Sequence, residues 1–168
     1  VYSVRRAVMR AFERVRDHRG RALVIVQRFL IYLLRYNDNS TNRFVDDYYL
    51  ASIINALAGT LIPIDSAGYS THADETYSPE EMELRAVAIQ EVERLQVLDR
   101  LVPSYHNVVT IAALDFHQAL VFANLRPLEL VHFLEYTREG NFPPVRMAAL
   151  NALLLLRGLQ HKVLTRYY

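Results

Sequence analysis

The chain has 168 residues, 52% of them hydrophobic and 22% charged, which is ordinary for one globular domain with a real core. Five Gly and six Pro are too few for a turn-rich β architecture, and the absence of Cys excludes disulfides and thiolate-bound zinc. The formal net charge of +1 hides an asymmetry: residues 1–28 carry eight Arg against Glu13 and Asp17, a net of +6, while residues 65–99 carry nine acids against Arg85 and Arg94, a net of −7.

In chain order, a first helix is predicted over Val1–Arg16. Val4, Val8, Ala11 (or Phe12) and Val15 recur at the three-four spacing with Arg between them, the pattern of an amphipathic surface helix. Gly20 breaks it. A second helix covers about Arg21–Tyr36 and is so apolar that it must be covered on most of its sides. It is not a membrane span, because Gln27, Arg28 and Arg35 interrupt it and the apolar run falls short of the roughly 20 residues a bilayer needs.

A loop of amide, carboxylate and hydroxyl residues follows, from Asn37 through Asn42. A third helix starts near Asp46 or Asp47, carboxylates suited to the positive end of a helix dipole, and buries Leu50, Ile53, Ile54, Leu57 and Leu61. Gly59 and Pro63 end it. The segment 65–77 is small, polar and acidic, and reads as a flexible insertion. Ser78-Pro79-Glu80-Glu81 is a strong helix start, with Ser at the cap, Pro at the first helical position and acids in the first turn. That fourth helix runs to about Leu98. A fifth is expected over Asn107–Ala123, a short sixth between Pro127 and Arg138, and a seventh from Pro143-Pro144 through Leu156 to Gly158. The last ten residues read as part of one more helix. No segment alternates as a strand would, so the fold class is all-α.

Val145-Arg146-x-x-Ala149-x-x-Ala152-Leu153 has a counterpart in Val4-Arg5-x-x-Val8-x-x-Ala11-Phe12. Weaker echoes lie at Leu84-Arg85-x-x-Ala88 and Val109-Thr110-x-x-Ala113-x-x-Phe116. The pattern resembles the helix signature of HEAT repeats: small residues let neighbouring helices approach closely, and the Arg near each helix start can bridge to an acid in the next unit. This predicts an α-solenoid of HEAT/armadillo-like antiparallel helix pairs over residues 1–158, with 159–168 beginning a further repeat. An open stack of pairs needs covered ends, so the chain reads as a fragment of a longer protein.

Catalytic and metal-binding patterns are missing. None of His18, His72, His106, His117, His132 and His161 is spaced as a zinc helix requires, and His117 and His132 read as core or seam residues. The stretch Asp38-x-Ser40-x-Asn42 fails as a calcium loop, with Arg43 where Gly is needed and Tyr49 where Glu is needed. There is no phosphate loop and no nucleophile motif, so no catalytic residue, cofactor, metal or small-molecule substrate is expected. Two partner surfaces stand out instead. One is the corner of Asn37, Asp38, Asn39, Asn42, Phe44, Tyr48 and Tyr49, where amides and aromatic rings share one edge. The other is Arg5, Arg6, Arg10 and Arg14 of the first helix. Arg makes bidentate contacts to carboxylate or phosphate, so these suit an acidic partner or DNA, or are a solvated face.

At Tyr36-Asn37-Asp38-Asn39-Ser40-x-Asn42-x-Phe44-x-Asp46-x-Tyr48-Tyr49 the sequence resembles the helical-repeat region of the TFIID subunit 2 family, TBP-associated factors of the RNA polymerase II general transcription machinery. Leu101-Val102-Pro103-Ser104-Tyr105 and Val145-Arg146-Met147-Ala148-Ala149-Leu150 agree, in the family's order. The resemblance covers roughly Phe29 to Leu156. It implies a non-enzymatic scaffold, a nuclear location, assembly with other TFIID subunits (notably subunits 8 and 1) and, through the assembly, association with core-promoter DNA. One departure is that a further helix is expected before Gln160-His161-Lys162-Val163-Leu164, which here follows Gly158 almost at once. The alternative is the helical C-terminal domain of an active zinc aminopeptidase, which an intact H-E-x-x-H upstream would favour.

Overall fold

The structure is a computed structural model and describes residues 2–37, 45–64 and 77–157. Seven α-helices account for most of these: α1 (Tyr2–Arg14), α2 (Val24–Arg35), α3 (Asp47–Leu61), α4 (Pro79–Leu101), α5 (Val108–Phe122), α6 (Leu130–Thr137) and α7 (Pro143–Arg157). A single 3-10 turn, Tyr105–Asn107, precedes α5. Among the described residues there is no strand, and no helix is long and apolar enough to cross a membrane. The sequence placed every one of these helices, with ends shifted by a few residues as fraying and cap geometry dictate.

The helices form two rows. α1 packs on α3, α3 on α5 and α5 on α7, while α2 packs on α4. Between the rows, α2 meets α3, α4 meets α5 and α6 meets α7. Polar contacts give the directions. The Gln27 amide near the start of α2 donates to the Thr60 carbonyl near the end of α3 (2.9 Å), so this pair is antiparallel. Asp99, late in α4, accepts from the Thr110 amide early in α5 (2.9 Å). Arg146, early in α7, donates to the Thr137 carbonyl that ends α6 (3.2 Å). Within a row the order is parallel: Arg6 reaches Ser52, and Arg16 reaches the Gly59 and Ile62 carbonyls at the C-terminus of α3. Antiparallel pairs repeated in parallel register make an α-solenoid segment.

The row α1–α3–α5–α7 carries the core. Small residues line it: Ala51, Ala56, Ala112, Ala113, Ala149 and Ala152 are buried between larger neighbours such as Ile53, Ile54, Leu57, Phe116 and Leu120. Helix α5 is buried on two faces, because Phe116 joins the cluster shared with α1–α4 while Leu114 joins Phe133, Val145 and Leu153 in a second cluster under α6 and α7. Truncating a buried Phe such as Phe116 costs about 3–5 kcal/mol, several times what an exposed ion pair contributes, so the apolar seam sets the stability.

The repeat pattern maps onto this seam in three of its four copies. Val145, Ala149, Ala152 and Leu153 are buried, as are Val109, Ala113 and Phe116, and Ala88 is fully covered. The copy in α1 differs. There Met9 is the buried residue, while Val4, Val8 and Val15 are 61%, 40% and 40% exposed. Helix α1 turns Met9, Arg6 and Glu13 towards α3, so the valine stripe points outward. The Arg of the pattern also does not bridge to an acid in α7; Arg146 satisfies the last carbonyl of α6 instead, where a cation complements the helix dipole. The second helix likewise keeps one open stripe, Ile25, Phe29, Tyr32 and Tyr36, rather than being covered on most sides.

Part of the charge asymmetry is consumed inside the fold. Arg21 pairs with Glu81 (3.3 Å), Arg28 with Glu80, and Arg35 with Glu91 (2.7 Å), stitching α2 to α4 along their length. Arg94 joins Glu91 (2.9 Å) and also donates to the Leu34 carbonyl (3.3 Å). Burial alone would raise the Glu91 carboxyl, but hydrogen bonds from Arg94 and Arg35 outweigh it and hold it below the ordinary Glu range. The start of α4 is the capping box foreseen at Ser78, whose hydroxyl accepts from the Glu81 amide while Glu81 accepts from the Ser78 amide.

The turn into α2 rests on Gly20, at φ 72°. Its carbonyl accepts from the Ile64 amide (3.2 Å), and a Cβ there would collide with the Ile64 carbonyl oxygen. Gly140 is also left-handed, at φ 102°, but has open space where a Cβ would go. Both Gly→Ala changes therefore meet backbone strain, and only Gly20→Ala adds a clash. Gly20→Ala is expected to cost about 1 kcal/mol or more beyond Gly140→Ala in urea unfolding; equal losses would contradict the packing of Gly20 on Ile64.

Candidate partner-binding surfaces

Of the corner residues picked out in the sequence, Asp38, Asn39, Asn42 and Phe44 lie outside the described residues, as do all of residues 38–44, 65–76 and 158–168. Asn37 ends the described part of the first loop, half-buried. Tyr48 is 40% exposed, with the Arg6 guanidinium over its ring at 5.8 Å. Tyr49 packs against the main core and offers little to a partner. Asp47 sits in the first turn of α3 and also reaches beyond it. It is buried, and its carboxylate accepts the Tyr105 amide (2.8 Å), tying the α2–α3 corner to the α4–α5 corner. Tyr48 also borders a cleft of about 180 Å³ between α1, α3 and α5, with Arg6, Asn55 and Asp115 on its walls. Asp115 is raised above the ordinary Asp value by burial.

The four arginines of α1 separate. Arg6 is bound to Ser52 (3.1 Å) and lies over Tyr48. Arg5, Arg10 and Arg14 are exposed and have no partner among the described residues.

A second corner is one that sequence reasoning passed over. Tyr105 stacks on His106 (3.9 Å) and His106 on Phe142 (5.6 Å), a short column of rings across the α4–α5 and α6–α7 turns. His106 and Asn107 both sit at positive φ, 56° and 51°, an unusual state for two adjacent non-Gly residues. The column borders a groove of about 510 Å³ lined by Arg100, Tyr136, Asn141 and Pro143 among others. Asp99 holds the corner by accepting from the Ser104 amide (2.6 Å) and from both the amide and the hydroxyl of Thr110. The Val102-Pro103-Ser104 turn was the available signal, but nothing in it announces a ring from a turn two helices later.

The histidines separate in the same way. His117 is 1% exposed, and its Nδ1 accepts from Arg126 (2.8 Å), which in turn pairs with Glu93 (2.9 Å). His132 stands edge-on to it, ring centres 4.8 Å apart. Because Arg can only donate, His117 must carry its proton on Nε2, and that nitrogen is then no metal ligand. Among the described residues no group of three or more His, Cys, Asp or Glu could hold a metal ion. His72 and His161 lie outside the described residues.

The geometry defines a class: an all-α repeat segment of antiparallel helix pairs. A family model described as "TAF2-like, TPR repeats" matches residues 1–163, and the chain belongs to that family. It is 32% identical to transcription initiation factor TFIID subunit 2 of Schizosaccharomyces pombe over 173 residues, covering 99% of this chain and 14% of that protein. It is 32% identical to the Gallus gallus subunit 2 over 129 residues (77% and 11%) and 36% identical to that of Caenorhabditis elegans over 128 residues (76% and 11%). The chain thus spans about one-seventh or less of the length of these relatives. The family's repeats are described as TPR where the Val-Arg-x-x-Ala pattern suggested HEAT; both are stacks of antiparallel helix pairs.

Burial, then the nearby Arg126 and His132, push the His117 imidazole down to about 3 from 6.5. The unfolded chain takes up a proton near 6.5 that the fold refuses. Stability from this group is therefore complete above that pH and declines as pH falls from 6.5 towards about 3, by up to about 1.4 kcal/mol per pH unit. Urea unfolding at pH 7, 6 and 5 should show a shallower decline for His117→Gln than for the wild type; parallel slopes would mean that His117 is charged in the fold.

Proposed function

We propose that this chain is a non-enzymatic scaffold segment of TFIID subunit 2, with residues 1–158 as its helical-repeat unit and 159–168 beginning another. In this reading it works in the nucleus, holds other TFIID subunits (notably subunits 8 and 1), and supports core-promoter recognition in RNA polymerase II initiation through the assembly. The observation that carries it is the match to the family over residues 1–163, with relatives in fungi, birds and nematodes that all bear the TFIID subunit 2 name. The fold supports it, since a two-row stack offers long edges to other subunits. The aminopeptidase alternative gains no support, because the relatives it would need are replaced by transcription factors.

The partner-binding corner is proposed at Asn37, Asp38, Asn39, Asn42, Phe44, Tyr48 and Tyr49, with Tyr48 as its exposed ring. Contact with phosphate or an acidic partner is proposed at Arg5, Arg10 and Arg14, with Arg6 already engaged by Ser52. The test is affinity purification of the full-length protein from nuclear extract. TFIID subunits are expected in stoichiometric amounts, and their absence would overturn the reading. If the arginines touch DNA, affinity will fall steeply with salt and with charge reversal at Arg5, Arg6 and Arg10.

A further inference from the structure

The repeat holds a second signal besides its buried small residues. Asn55-Ala56-Leu57 in α3 recurs as Asn151-Ala152-Leu153 in α7, each after an aliphatic residue, and the matching place in α5 is Asp115-Phe116-His117. In all three the second residue is buried and the first is exposed. The register of the row is fixed at two points. Asn55 and Asp115 border one cleft between α3 and α5. His106, just before α5, stacks on Phe142, just before α7, and the same separation along the chain sets Asp115 opposite Asn151. On α5, Thr110 and His117 face α4, through Asp99 and through Arg126 and Glu93. At about 100° per residue Asp115 lies well over a third of the way round the helix from both. The three side chains therefore stand in line across the face of the row turned away from α2, α4 and α6.

Asn55, Asp115 and Asn151 have no hydrogen-bond or ionic partner among the described residues. Burial alone raises Asp115 above the ordinary Asp value. Arg6, on the far wall of the cleft, is bound to Ser52 (3.1 Å) and lies over Tyr48, and its charge does not answer that of Asp115. The cleft holds about 180 Å³, with the half-buried Val108 and Ile111 as its apolar wall. Met147, 55% exposed, carries the apolar surface on towards Asn151. Helices α3 and α5 each have a row neighbour on both sides, so this face is a side of the stack and not one of its ends.

We propose that Asn55, Asp115 and Asn151 bind an extended segment of a partner protein across α3, α5 and α7, with an Arg or Lys of that segment in the cleft beside Asp115. A side-chain amide offers both an acceptor and donors, which match the N–H and C=O of a peptide unit. Two such amides in line, on helices in parallel register, hold main chain whatever its side chains. Packed helices lie about 8–10 Å apart, so three axes span about 16–20 Å, which about five or six residues of extended chain cross at about 3.3 Å each. A partner helix satisfies its main chain internally and would leave both amides unused. Between them the Asp115 carboxylate only accepts, so it selects a cation, whose aliphatic stem lies along Val108 and Ile111. The same carboxylate repels the phosphates of DNA. In its biological sense this inference rests on the assembly role proposed above; the binding test does not.

The test titrates the full-length polypeptide, as the cell makes it, with a fluorescent peptide of about ten Ser, Thr and Gly residues around one central Arg. One comparison peptide has Glu in place of the Arg, and another keeps the Arg but carries N-methyl groups on the peptide nitrogens beside it. The Arg peptide is expected to bind saturably below about 1 mM, and about tenfold more tightly than either comparison. Asp115→Asn, and Asn55→Ala combined with Asn151→Ala, are each expected to weaken it about tenfold, and Asp115→Lys to turn the preference towards the Glu peptide. All three positions are exposed, and unchanged circular dichroism and thermal unfolding would confirm that the fold survives. No saturable binding to the full-length polypeptide, equal binding of the Arg and Glu peptides, or indifference to the substitutions would overturn the proposal. Equal binding of the N-methylated peptide would leave a cation pocket that ignores main chain and overturn it too, as would displacement of the Arg peptide by a short DNA duplex. Loss of TFIID subunits in the purification, with Arg-peptide binding intact, would refute the assembly reading and leave the site in place.

Discussion

The constraint on which the rest depends is the close approach of α3 and α5. Two helices pack this closely where side chains are small, and Ala51 of α3 and Ala112 of α5, both buried, meet beside the same cleft. Around those positions Ile53, Ile54, Leu57, Phe116 and Leu120 interlock without exposure. Because α5 also buries Leu114 towards Phe133 and Val145, the same helix carries the packing onward to α6 and α7. A stack of this kind has no single centre; each pair is held by its neighbours, and α3 (between α1 and α5) and α5 (between α3 and α7) are the members with a row neighbour on both sides.

Electrostatics then decides what the surface can do. Along the sequence the chain looks like a dipole with a basic beginning and an acidic middle. Folding lays Arg21 and Arg28 of the basic stretch, together with Arg35, against Glu81, Glu80 and Glu91, so part of that dipole cancels between the second row's helices. Exposed pairs of this kind contribute little stability each, but they fix the register of the second row, which has less apolar contact than the first. Within the first helix pair, the positive charge that survives unpaired among the described residues is that of Arg5, Arg10 and Arg14 on α1.

The helices were legible in the sequence because their signals are local: the Ser78 capping box, the Pro143-Pro144 start, the Gly and Pro stops and the three-four spacing. The seam was legible because Ala at every third or fourth place puts a strip of small side chains along one helix face, where a neighbouring backbone can come close. The direction in which α1 faces was not, since its valine stripe and its Met9 face both satisfy helical periodicity and only α3 chooses between them. Arg146 illustrates another limit: a cation near a helix start suits an acid or a carbonyl equally well, and the carbonyl of Thr137 happens to end beside it. The ring column of Tyr105, His106 and Phe142 brings together two turns separated by a whole helical pair, which no short-range pattern encodes.

The functional picture follows from the same physics. Along the row, rings and arginines such as Tyr48, Tyr105 and Arg100 stay exposed at the edges. The His117–Arg126–Glu93 chain links α5 to α4, buried at His117 and open to solvent at Glu93. Native-state hydrogen exchange tests the central claim most directly. If the α3–α5 seam holds the stack, the amides of these two helices exchange last and only through global unfolding, with α1 and α6 opening earlier. Amides of α5 that exchange as fast as those of α1 or α6 would contradict it.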